Sequence, residues 1–104
     1  MAEKNFDYIV KLKKPYLFEG TEHTEINLSG LDELTTDALC RAQAIIAAEG
    51  DQPMVPESNY RYCMLLASMV TGKPIEFFMR LPAKDGMAVK GRIFSYFFSD
   101  ADSE

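Results

Sequence analysis

From Pro74 to Phe98 the chain carries more large apolar side chains than one small core can absorb, and this surplus constrains the fold more than any other feature. Ile75, Phe77, Phe78, Met79 and Leu81 lie between Pro74 and Pro82, and a denser set follows from Met87 to Phe98. A helix opening at Pro82 and advancing about 100° per residue puts Met87, Phe94 and Phe98 on one side. Val89, Ile93, Tyr96 and Phe97 fall on another. Together they span an arc of roughly 200°, about twice the core-facing stripe of an ordinary surface helix. Either one side meets the core and the other a partner, or the helix is sandwiched between elements of its own chain.

Upstream the apolar period changes. Tyr8, Val10 and Leu12 alternate with Lys11 and Lys13, which is the pattern of a half-buried strand. Tyr16-Leu17-Phe18 continues extended after Pro15, Glu19-Gly20 supplies a turn, and Thr24, Ile26 and Leu28 bring a second strand back. The result is a β-hairpin over residues 7–28, with Lys and Glu facing each other on the exposed side. Two strands alone are marginal, so the hairpin must lean on helices or pair an edge, at 7–13 or 21–28, with another chain.

Ser29-Gly30 ends the strand. Thr35-Thr36-Asp37 offers an N-cap and a first-turn acid for a helix closed by Gly50, and Ser58 is placed to cap one running from about Asn59 to Thr71, ended by Gly72 and by Pro74. The second is apolar nearly all round and reads as the central buried helix. Ile75 to Leu81 follows as a short helix with Pro74 at its first position, and the last helix opens at Pro82. Gly86 and Gly91 inside it predict close approach by a neighbour. The fold expected is α+β: an N-terminal β-hairpin (7–28) followed by a small bundle of three to four helices (35–98). Residues 1–98 form one domain, and 99–104 a mobile acidic tail.

Composition narrows the chemistry. A chain of 104 residues, 47% hydrophobic and 26% charged, is sized for one core without a separate catalytic lobe. No apolar run approaches the ~20 residues of a bilayer span, and no signal core follows the N-terminus, so the expectation is a cytoplasmic protein away from membranes. Cys40 and Cys63 both fall in helical patterns and are expected as reduced core residues. The net charge of −5 is unevenly spread: residues 19–57 hold nine acids against Arg41, and residues 58–98 hold six bases against Glu76 and Asp85. Those bases form no cluster, which argues against nucleic-acid binding.

No catalytic constellation emerges. His23, the single histidine, stands between Glu22 and Thr24 in the hairpin and is expected as a solvated or cross-strand-paired imidazole. Thr71-Gly72-Lys73-Pro74 resembles the end of a phosphate-binding loop, but Ala67 replaces the first glycine and Pro74 the hydroxyl residue. Asp32-Glu33 sits beside helix starts, where capping explains it. Asp100, Asp102 and Glu104 lack the glycine and terminal acid of a calcium loop. Neither cofactor nor metal is expected.

The order of parts, with Phe18-Glu19-Gly20-Thr21-Glu22-His23-Thr24-Glu25-Ile26-Asn27-Leu28-Ser29-Gly30-Leu31 in the hairpin and Thr71-Gly72-Lys73-Pro74-Ile75-Glu76-Phe77-Phe78 and Leu81-Pro82-Ala83-Lys84-Asp85 in the helices, resembles the small tail assembly chaperones of long-tailed bacteriophages. The likeness covers residues 8–98. It implies a non-enzymatic assembly factor of the infected host's cytoplasm, absent from the finished virion, that binds the tape measure protein and brings tail tube subunits to it. Many such phages also make a longer version by a programmed frameshift near the gene's end, and the short acidic end after Phe98 fits the unextended form. The family carries no catalytic residues to transfer.

A holder of a long helical client needs an apolar groove or helix face, and Phe77, Phe78, Met87, Phe94, Phe97 and Phe98 are the residues that would supply one. The same patch could close a homodimer. The alternative class is a structural virion component, a self-associating tube or completion protein. An enzyme or small-ligand domain would need convergent polar groups that the chain lacks.

Overall fold

The computed structural model describes residues 6–99, which fold as an α+β unit: an antiparallel hairpin followed by four helices. Strand β1 (Ile9–Phe18) returns as β2 (Thr21–Asn27), and helices α1 (Thr36–Ala48), α2 (Tyr60–Thr71), α3 (Ile75–Met79) and α4 (Ala83–Ser99) follow. Short 3-10 turns at Ser29–Glu33 and Pro56–Ser58 link them. Residues 1–5 and residues 100–104 of the expected acidic tail, including Asp100, Asp102 and Glu104, lie outside the described residues, while Ser99, expected in that tail, ends α4.

The hairpin turns on Glu19 (φ 49°) and Gly20 (φ 82°), both left-handed, as a two-residue type I′ turn requires. Its register is interrupted. Lys11 faces Glu25 and Tyr16 faces His23, so Leu12, Lys13, Lys14 and Pro15 together oppose Thr24 alone. Proline cannot donate to a ladder, and the bulge absorbs it. Consequently, of the three lysines of β1, Lys11 alone directly faces a glutamate of β2, because Lys13 and Lys14 are carried into the bulge.

The hairpin leans on its own helices. Val10, Phe18, Ile26 and Leu28 are buried with Leu31, Ala42, Ile46, Phe77, Val89 and Ile93 around α2. Six consecutive residues of α2, Tyr62 to Ala67, are buried, consistent with a central helix. Burying each large side chain contributes about 1.5–3 kcal/mol. Asn59, not Ser58, caps α2: the Asn59 side chain accepts from the Tyr62 amide at 2.8 Å, while the Ser58 hydroxyl donates to the Val55 carbonyl. Thr35 caps α1 by accepting from the Ala38 amide, and Gly72 closes α2 in the left-handed conformation.

The two glycines of α4 have a different meaning from the one expected. Among the described residues a Cβ on Gly86 or Gly91 would meet nothing within 4 Å, so neither marks a close approach there. That role belongs to Gly30, where a Cβ would lie 2.5 Å from the Val70 carbonyl oxygen.

Candidate functional site

Helix α4 has two faces. Val89 and Ile93 are buried, and Tyr96 and Phe97 pack partly buried against the core. On the other side Met87 (58% exposed), Phe94 (37%) and Phe98 (44%) reach solvent, with the Phe94 and Phe98 ring centroids 4.6 Å apart. The division matches the arc read from the periodicity, and the outer residues are not sandwiched by another element of the described chain. Phe97 belongs to the inner set, against Tyr96 at 5.4 Å.

Phe77 and Phe78 depart from the surface role expected of them. They are 1% and 2% exposed. Helix α3 spans only five residues between the hairpin and α2, and both rings are drawn inward. Phe77 meets Tyr16 and Phe18 edge-to-face at 5.1 and 5.3 Å, and the Tyr16 hydroxyl donates to the Phe77 carbonyl at 2.8 Å. Burial raises the Tyr16 phenol above its ordinary range. Phe78 instead forms part of the floor of a groove.

That groove runs between α2, the end of α3 and the start of α4. It is lined by Tyr60, Met64, Phe78, Met79, Leu81, Ala83, Gly86 and Met87 and has a volume of about 340 Å³. Tyr60 and Met79 are each 49% exposed on its rim. Lys90 joins the groove to the outer face of α4: its ammonium lies 4.8 Å from the Tyr60 ring and 5.9 Å from the Phe94 ring. The strip from Met79 through Met87, Tyr60 and Lys90 to Phe94 and Phe98 is therefore continuous, mostly apolar, and centred on one cation. Tyr60, Met79 and Lys90 are not among the residues assigned to the patch from the sequence, because they converge from three different helices.

Several other polar and aromatic groups among the described residues make structural contacts. His23 stacks edge-to-face on Phe77 at 4.8 Å, opposite Tyr16 across the hairpin, so it is partnered by aromatic rings. Asp32 holds the hairpin, the 3-10 turn and α4 together: the Tyr8 and Tyr96 hydroxyls both donate to its carboxylate at 2.8 Å. This is more than the helix-start role expected of it. Asp85, 2% exposed, accepts the Lys13 amide at 3.1 Å where the bulge frees that group from β2. Cys63 is buried and its thiol is pushed up to about 11, chiefly by loss of solvation. Cys40, expected in the core, is exposed on the outer side of α1, beside a shallow hollow of about 520 Å³ lined also by Gln43, Asp51 and Pro53. No cluster of three or more potential metal ligands occurs among the described residues. No described helix is long and apolar enough to cross a membrane.

Comparison with family models, with curated proteins and with solved structures finds no match.

Proposed function

We propose that this protein is a non-enzymatic tail assembly chaperone of a long-tailed bacteriophage, which holds the tape measure protein and recruits tail tube subunits to it during tail morphogenesis. The observation that carries the reading is the strip formed by the α2–α3–α4 groove and the outer face of α4. A helix laid in such a groove is held by apolar anchors at i, i+3, i+4 and i+7. Met79, Met87, Phe94 and Phe98 offer exposed apolar surface to such anchors, and methionine adapts to varied side chains. The resemblance of residues 18–31 and 71–98 to this chaperone family supports the same reading, with action in the host cytoplasm and absence from the mature virion.

Co-expression with the tape measure protein of the same phage tests the reading. The expected result is a soluble tape measure protein that co-purifies with a tagged copy of this chain, which is itself missing from purified particles. An insoluble tape measure protein beside a lone tagged chain, or this chain found as a stoichiometric part of the virion, would overturn it.

A further inference from the structure

We infer that the occupant of the α2–α3–α4 strip is an amphipathic helix carrying a carboxylate near the middle of its apolar face, positioned to meet Lys90. The inference rests on the chaperone reading and specifies the client's chemistry.

The outer face of α4 runs through Ala83, Gly86, Met87, Lys90, Gly91, Phe94 and Phe98, by the helical period. This face contains one charge and no acid. Lys90 is half-buried, and among the described residues it has no carboxylate within ion-pair distance. Its neighbours are the π-faces of Tyr60 and Phe94. Ring faces attract an ammonium while leaving donors free for an acceptor arriving from outside. When a docked helix excludes water from this strip, an unpaired Lys90 becomes costly, and a client carboxylate removes that cost.

The same charge argues against a second copy of this chain as the occupant. A two-fold pairing of outer faces about the middle of the stripe would bring two Lys90 ammonium groups into one apolar interface, with no acid on either stripe to neutralise them. Gly86, which lines the groove, leaves open space where a side chain would stand, so a partner backbone can approach α4 closely there.

The test uses the full chain bound to the co-expressed tape measure protein. A zero-length carbodiimide, which joins an amine to a carboxylate in direct contact, is followed by peptide mass spectrometry. The expected product links Lys90 to an Asp or Glu of one helical tape measure segment. Capture should fall by at least about tenfold for Lys90→Glu and survive in Lys90→Arg, with unchanged far-UV circular dichroism in both. If the complex forms but Lys90 couples to no client acid and Lys90→Glu binds as the parent does, the inference is wrong while the chaperone reading stands. Coupling of Lys90 to an acid of a second copy of this chain would also overturn it. Failure of any complex to form refutes the chaperone reading itself.

Discussion

The Arg92 guanidinium donates to the Ile9 carbonyl at 2.9 Å and to the Asp7 carbonyl at 2.7 Å, so that α4 occupies the outer edge of β1 with a side chain instead of a third strand. The Asp7 carboxylate takes the Ile9 amide, and Asp85 takes the Lys13 amide. These contacts take up the outward backbone groups of Asp7, Ile9 and Lys13 along the edge expected to be open at 7–13, and covering such an edge is how natural sheets protect it. Arg92→Ala should cost about 1.5–3 kcal/mol by loss of charge-assisted hydrogen bonds and should raise the apparent mass on size exclusion as the edge opens. Urea unfolding and light scattering would show it. A variant as stable and as monodisperse as the parent would mean that the edge needs no guard.

Two glycine substitutions should act in opposite directions. Gly30→Ala drives a methyl group into the Val70 backbone and is expected to destabilise by about 1–3 kcal/mol. Gly91→Ala adds a methyl in open space on a helix and should stabilise by up to about 1 kcal/mol. Thermal melts of the pair decide this; a stable Gly30→Ala protein would refute the close approach of the 3-10 turn to α2.

The thiols should differ in reactivity. An aromatic disulfide reagent should modify Cys40 rapidly in the native protein and reach Cys63 only after unfolding, because the former is exposed and the latter buried. Equal native rates would contradict the packing of α2.

Stability should fall in alkali. Burial moves the Cys63 thiol from 9.0 up to about 11 and the Tyr62 phenol from 10.0 up to about 12, so the unfolded chain releases these protons first. With folded values above unfolded ones, both groups contribute fully below pH 9, and their contribution is lost as pH climbs through the window to about 12. The urea midpoint should therefore decline from pH 9 upward, with the early part of the decline removed in Cys63→Ala. A midpoint flat to pH 11 would contradict this account.

Much of the fold was legible because local signals agreed with tertiary demand. The Glu19-Gly20 turn, a cap within Thr35-Thr36-Asp37, the Gly72 stop and the all-round apolar α2 each have a local physical cause. The two faces of α4 followed from its length, since 17 residues display the helical period several times. Helix α3, at five residues, displays it barely once, and its neighbours decide which way Phe77 and Phe78 point. The bulge at Leu12–Pro15 was hidden because strand alternation continues on either side of it, and Asp85 shows its purpose only when α4 is brought beside β1. Asn59 outcompeted Ser58 by one position, a choice set by where the chain enters the helix. Cys40 follows the outward side of α1, where Ala38, Ala42 and Ile46 already fill the inward side.

The most direct test of the central claim is capture of the co-expressed tape measure protein by the Phe94→Asp/Phe98→Asp double variant, beside far-UV circular dichroism of the same preparation. Phe94 and Phe98 lie on the exposed side of α4, so the account predicts an unchanged helical spectrum with capture lost, each anchor being worth on the order of 1–3 kcal/mol. Phe77→Asp, placed in the core, should instead unfold the protein. Undiminished capture by a folded double variant would contradict the claim that this face holds the client.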